Sequence, residues 1–180
     1  MRIETKRLEL RAVEPEDAGF LAGLFNETDL TGDDAPRDLI YPISKEAEES
    51  WISALPDLQD EAHMMVEKRK GKQPIGIVSV DEMDFRNASA RLRVRLTRES
   101  WDCGFGAEAV DGLVNFLFDR MNIRRVWLRV DEGNARAIRC FERCGFILEG
   151  VMRDDHLRDG SWRNSLLMSI LSTDKRRGGI

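Results

Sequence analysis

Hydrophobic and polar residues alternate from Arg7 to Val13 (R-L-E-L-R-A-V), the period-two pattern of a strand with one buried face. Pro15-Glu16-Asp17 then supplies an acidic first turn, and Ala18, Leu21, Leu24 and Phe25 share one face of the helix that follows. Asp29 to Tyr41 is polar, rich in aspartate and without period, so a loop or broken helix is expected. Ser44 reads as the N-cap of a second helix carrying Ala47, Trp51 and Leu55 at four-residue intervals, with Pro56 at its end. Strands are expected over Ala62–Arg69 and Pro74–Met83, joined by the turn Lys70-Gly71-Lys72.

The clearest alternation runs from Ala90 to Leu96. Leu92, Val94 and Leu96 point one way, and Arg91, Arg93 and Arg95 the other, where a solvated charged face is expected. Val110, Leu113, Val114, Leu117 and Met121 recur at helical spacing within Gly106–Met121, and Val126–Val130 reads as another strand. Asn134 to Phe146 (N-A-R-A-I-R-C-F-E-R-C-G-F) has a capping residue in front, a glycine behind and arginines on its polar face, which predicts a short helix. A strand near Ile147–Arg153, a turn at Asp159-Gly160 and a strand at Leu166–Leu171 complete the order. With no repeat and no linker, residues 1–174 are expected to form one mixed α/β (α+β) domain, and 175–180 a frayed tail.

Composition narrows the function classes. A chain of 180 residues with 42% hydrophobic and 34% charged residues reads as a soluble globular domain. Its net charge of −5 argues against nucleic acid as a partner. No apolar run is long enough to span a bilayer and nothing resembles a secretory signal, so the cytoplasm is the expected compartment. Cys103, Cys140 and Cys144 match no zinc spacing, and with only His63 and His156 to help, no metal site is expected.

The chemistry-bearing stretch is S-W-D-C-G-F-G-A-E-A, Ser100 to Ala109, between the arginine-rich strand and the long helix. A glycine turn there can aim unpaired helix N-terminal amides at an anion, and Gly104 and Gly106 carry no Cβ to hold a pyrophosphate away. A short G-x-G is also an ordinary strand-to-helix connection. It fits a dinucleotide fingerprint poorly, because Arg124 and Arg125 stand where the acidic residue belongs, and no G-x-x-x-x-G-K-[ST] string occurs.

Taken together, W-x-x-G-x-G-x-E-A from Trp101, N-x-x-A-I-x-x-F-E-x-x-G-F from Asn134 and E-G-x-x-R from Glu149 resemble the GNAT acetyltransferase superfamily. The opening R-L-x-L-R and the ending D-G-S-W-R-N-x-x-L-M-S-I-L are similar to its branch of ribosomal-protein N-terminal and spermidine acetyltransferases. That resemblance implies a single domain on a mixed, mostly antiparallel sheet with a splayed strand pair and helices on both faces. It implies acetyl-CoA as co-substrate, its pyrophosphate held by the turn matching Trp101, Asp102, Cys103, Gly104, Phe105, Gly106 and Ala107. The strand residues matching Val94, Arg95 and Leu96 would pair with the pantetheine arm, Asn134 would hydrogen-bond near it, and the helix carrying Phe141 would flank the thiol end. The implied reaction is direct attack of a neutral amine on the thioester, with a strand amide holding the oxyanion and a thiolate leaving.

Several positions depart from the family pattern. Phe141 stands where many members keep a tyrosine that protonates the thiolate, Ala137 where others of the branch keep a serine, Asp102 where a glycine is common, and Arg91 where a glutamate often follows the alanine. A thiol of ordinary pKa, about 8.5, leaves tolerably without an acid, so positioning is expected to carry the reaction. Cys140 and Cys144, one turn apart, are read as packing residues. For the base, strand-end candidates are Glu82, Asp84, Asp131, Glu132 and His156, with Asp131 and Glu82 ranked first. The acceptor is expected to be a peptide N-terminal amine or a small-molecule amine such as a polyamine, and a homodimer is a candidate assembly. The alternative is a non-catalytic acyl-CoA-binding or regulatory domain, which Phe141, Ala137 and Arg91 keep open.

Overall fold

The computed structural model describes residues 2–27, 42–158 and 160–177. Eight strands form one sheet: β1 (Arg2–Glu4), β2 (Leu8–Ala12), β3 (Ala62–Lys68), β4 (Pro74–Asp84), β5 (Ser89–Leu96), β6 (Arg125–Asp131), β7 (Ile147–Arg158) and β8 (Ser161–Leu171), in the order β1-β2-β3-β4-β5-β6-β8-β7. Every neighbouring pair is antiparallel except β5 and β6, which are parallel. A parallel pair needs a crossover, and helix α3 (Phe105–Arg120) supplies it. Among the described residues the other α-helices are α1 (Ala18–Phe25), α2 (Lys45–Ala54), α4 (Ala135–Arg143) and α5 (Ser172–Arg177).

Strand alternation sorts the helices onto two faces. Met64 and Val66 point into the larger core with Val110, Leu113 and Leu117 of α3 and Phe141 of α4. Met65, between them, points the other way and packs with Leu21, Leu24 and Ile52 of α1 and α2. Ser44 caps α2, its Oγ accepting from the Ala47 amide at 3.2 Å. The Arg11 guanidinium grips Asp17 through two bonds of 2.8 Å, tying the start of α1 to β2.

The feature that makes room for a site is the short pairing of β5 with β6. It covers Ser89↔Arg125, Ala90↔Val126 and Arg91↔Trp127 and then stops. Past Arg91, β5 continues to Leu96 along β4, whereas β6 continues to Asp131 along β8. The splayed pair that the resemblance implies is therefore present.

The structure departs from the sequence reading in places. The expected solvated face of β5 is buried: Arg91 and Arg95 are 6% and 7% exposed, and Arg91 and Arg93 both pair with Asp81. The final hairpin is longer than expected, since β7 reaches Arg158 and β8 starts at Ser161; of the expected turn, Gly160 has φ +73° and Asp159 lies outside the described residues. The expected tail overlaps α5 up to Arg177, and residues 178–180 lie outside the described residues. So does the expected loop from Asp29 to Tyr41. Among the described residues no helix is long and apolar enough to cross a membrane, and no cluster of His, Cys, Asp or Glu is arranged to hold a metal.

Candidate active site

Where β5 leaves β6, a cavity of about 260 Å³ opens between the end of β5, the glycine turn and α4. Val94, Arg95 and Leu96 form one wall, Trp101, Asp102, Gly104, Gly106 and Ala107 the second, and Asn134, Ala137 and Phe141 the third. Cys103 and Phe105 are not among its lining residues. The Cys103 carbonyl accepts from Arg7 Nη1 at 3.0 Å, and the Phe105 ring lies under the same guanidinium, 4.5 Å from its centroid. Glu108, in the first turn of α3, accepts from Thr5 Oγ1 at 2.7 Å and Arg7 Nε at 2.6 Å. Arg7 is thus a strut beneath the turn.

Backbone conformation explains the odd residue in that turn. Asp102 has φ +55° and Gly104 φ +76°, so both positions require the left-handed region. Aspartate is one of the few side chains that enters it readily, so it can stand where the resemblance leads one to expect glycine. Gly106 has no such backbone need: a Cβ there would meet Cys140 Sγ at 3.4 Å, an ordinary contact between α3 and α4.

The cavity is basic. Arg95, Arg136, Arg139 and Arg143 line it against the single carboxylate of Asp102, which suits a ligand bearing phosphates. Asn134 caps α4, its Oδ1 accepting from the Ala137 amide at 3.1 Å, which leaves Nδ2 as the side-chain donor. Cys140 also lines the cavity, and a hydrogen bond from the Cys144 thiol, with Arg143 and Arg136 nearby, holds its thiol below the ordinary range against the opposing effect of burial. Phe141 is 6% exposed and meets Phe146 edge-on at 5.8 Å.

A second cavity, of about 310 Å³, lies on the α1–α2 side and shares Val94 and Arg95 with the first. Its walls carry Phe25 and Trp51 from the helices, Asp60, Glu61 and His63 at the start of β3, Asp81 and Glu82 of β4, and Arg91, Arg93 and Arg95 of β5.

The sequence model of the acetyltransferase (GNAT) domain matches residues 7–147. The chain belongs to the GNAT acetyltransferase family. A spermidine N(1)-acetyltransferase of Vibrio cholerae is 26% identical over 93% of this chain and 94% of that protein. An uncharacterized N-acetyltransferase, p20, of Bacillus licheniformis is 27% identical over 94% and 96%. A crystal structure of the Vibrio cholerae spermidine enzyme in complex with CoA and spermine superposes with a TM-score of 0.82 at 25% identity, covering 94% of this chain and 98% of that one. The protein is therefore an acetyltransferase with acetyl-CoA as co-substrate, and the non-catalytic alternative gives way.

The acetyltransferase's candidate bases are placed unequally. Asp131 lies at the end of β6 and lines neither cavity. Its Oδ1 accepts from the Gly133 amide at 2.7 Å, and its Oδ2 is 2.9 Å from His156 Nε2, whose Nδ1 is 3.3 Å from Ser165 Oγ. That carboxylate braces the turn presenting Asn134, whose amide donates to the Asp131 carbonyl at 2.9 Å. Glu82 does line the second cavity, at φ +49°, but pairs with Arg91 at 3.0 Å. Asp84 is exposed and accepts from the Asn87 amide at 2.9 Å, a bond that lowers its pKa. Glu132 accepts from Asn164 at 2.9 Å. Reading the sequence alone did not pair Glu61 with His63, which line the second cavity together. Their spacing was the available signal, since residues two apart in extended chain share a face.

Proposed function

We propose that this acetyltransferase binds acetyl-CoA in the basic cavity and receives a small primary amine of the polyamine type through the second. The observation that carries this reading is the junction of the two cavities at Val94 and Arg95, on the part of β5 that β6 has left. A basic pocket for a phosphorylated donor on one side and a pocket for the acceptor on the other meet where transfer has to occur. Bound acetyl-CoA supplies an acetyl group already activated as a thioester.

The chain's own part is to bind, orient and exclude water. The amides of the glycine turn, aided by Arg139 and Arg143, serve the pyrophosphate. The β5 edge from Val94 to Leu96 offers backbone groups to the pantetheine arm, with Asn134 Nδ2 opposite. Phe141 walls the reaction side without contributing a proton. The acceptor class rests on the similarity to the spermidine enzyme and on Asp60 and Glu61, the carboxylates of the second cavity that pair with neither Arg91 nor Arg93 and so favour a cation there. Self-association is part of this reading: β7 is an edge strand and leaves Ile147, Leu148, Val151 and Leu157 about half exposed or more.

The test is release of free CoA from acetyl-CoA with spermidine, spermine, amino acids and peptides beginning with Ala, Ser or Met. Turnover with spermidine or spermine is the expected result. Turnover confined to peptides moves the acceptor to protein N-termini. Thermal stabilisation by CoA with no turnover on any amine overturns the acceptor assignment.

A further inference from the structure

We infer that His63, oriented by Glu61, is the proton acceptor that makes the incoming amine a nucleophile; the inference rests on the second cavity being the acceptor site. An aliphatic amine arrives protonated, with a reference pKa of about 10.4, and attacks only after losing a proton. Of the cavity's carboxylates, the two on β4 are engaged. Asp81 holds Arg91 at 2.7 Å and Arg93 at 2.9 Å, and Glu82 holds Arg91 at 3.0 Å.

His63 is differently placed. Its Nε2 lies 3.0 Å from Glu61 Oε2, and its ring meets Trp51 edge-on, with centroids 4.9 Å apart and planes at 82°. The side chain is 13% exposed, so its orientation is set by packing as well as by Glu61. The strand register puts it level with Ser79 of β4, which is level with Arg93 of β5, on the face carrying the second cavity. The groups facing that cavity are Asp60 and Glu61 before β3, Asp81 and Glu82 on β4, Arg91, Arg93 and Arg95 on β5, and the rings of Phe25 and Trp51 from α1 and α2. Among them imidazole is the side-chain type that most often serves as a general base.

With Glu61 accepting from Nε2–H, the neutral ring keeps Nδ1 as its basic nitrogen. The balance is then complete. The ammonium gives one proton to His63, directly or through one water, and the amine nitrogen bonds to the acetyl carbon as the carbon–sulfur bond breaks. The nitrogen's second proton leaves with the sulfur as thiol, and His63 returns its proton to solvent. This arrangement needs no acid at Phe141, and it accounts for a base that neither Asp131 nor Glu82 provides.

The experiment is the pH dependence of kcat and kcat/KM for spermidine at saturating acetyl-CoA, in wild type, His63→Ala, His63→Gln and Glu61→Gln. CoA-induced thermal shift is measured in each. General base catalysis is worth typically about 10² to 10⁴ in rate, so both His63 variants are expected to lose about 100-fold or more near neutral pH. Their acidic limb moves up toward the amine's own pKa, about 10.4, so activity recovers toward pH 10 as free amine accumulates, and added imidazole restores part of it in His63→Ala. Glu61→Gln loses less, and the CoA shift is unchanged throughout. Profiles parallel to wild type and within a few-fold at every pH overturn the assignment while leaving the acceptor cavity intact. A wild type that turns over no amine overturns the acceptor reading, and this inference with it. His63→Gln, which keeps the ring's bulk and a hydrogen-bonding end, reads out the chemistry should His63→Ala fold poorly.

Discussion

The guanidinium of Arg136 lies 3.2 Å above the centroid of the Trp101 ring, and that indole's Nε1 donates to the Leu96 carbonyl at 3.0 Å. One tryptophan thereby fastens α4, the glycine turn and the end of β5, the three walls of the basic cavity. A cation–π contact contributes about 0.5–2 kcal/mol and a hydrogen bond about 0.5–1.5. Trp101→Ala is therefore expected to weaken CoA binding by roughly 10- to 100-fold. Trp101→Phe, which keeps a ring but not the indole donor, falls between. Titration calorimetry with CoA checks both; equal affinities in all three proteins would show that Trp101 does not organise the cavity.

Phe141, expected from the sequence resemblance to stand at the family's acid position, is buried, lines the basic cavity and meets Phe146 edge-on. Phe141 lines the cavity and also belongs to the core, so the effect of an added hydroxyl reads out which of the two its ring tip meets. Phe141→Tyr is expected to leave CoA affinity within a few-fold, not to lower turnover, and to destabilise by less than about 1.5 kcal/mol. A larger loss in denaturant unfolding would show that this phenylalanine is there for packing alone.

Gly76 sits on β4 level with Leu96, behind the strand edge that faces the basic cavity. A Cβ at this glycine would lie 2.1 Å from the Arg95 carbonyl oxygen and 2.8 Å from Leu96 Cα, both backbone atoms. Neither can move unless β5 separates from β4. Gly76→Ala is expected to cost about 3 kcal/mol or more, in the range of severe overpacking, and to lower CoA affinity in whatever remains folded. Gly19→Ala is the control: it meets nothing within 4 Å in α1 and gains up to about 1 kcal/mol. Thermal unfolding of both variants separates the two cases.

How much of this was legible beforehand depends on the range of the interaction. The alternation of β2 and β5, the Ser44 cap and the glycine turn are local, and each is where the pattern puts it. The motifs around Gly104 and Asn134 were separated by a helix and a strand, and the splay brings them to one cavity. What stayed hidden was long range. R-L-R-V-R looks like a solvated face because nothing local shows Asp81 waiting across the hairpin. Asp131 looks free because His156 arrives 25 residues later, on β7. Asp102 looks out of place until its positive φ is known. Helix α5 carries no apolar face to announce it, and its start is set by Asp174, which accepts from the Leu171 amide at 3.0 Å and turns the chain at the end of β8.

The edge of the sheet behind the splay carries a titratable brace. Arg125 of β6, Ser169 of β8 and Glu149 of β7 form a row: Arg125 Nη1 donates to Glu149 Oε1 at 2.6 Å, Nη2 to Oε2, and the Ser169 hydroxyl to Oε1 at 2.7 Å. The Arg125 guanidinium holds the Glu149 carboxyl down at about 2 against the opposing effect of burial, with the Ser169 hydroxyl adding a smaller lowering. A carboxyl depressed by folding stabilises above its unfolded pKa, about 4.3 for glutamate, and the contribution is lost as pH falls through the folded value of about 2. With the two side chains 31% and 35% exposed, solvent screening keeps the contribution near about 1 kcal/mol. Glu149→Gln is thus expected to unfold about 1 kcal/mol more easily at pH 7, with a constant gap down to roughly pH 5 that narrows from there toward pH 2 and shrinks in high salt. Urea unfolding of both proteins across that range is the measurement. A gap that stays flat to pH 2 would mean that Glu149 acts by shape and not by charge.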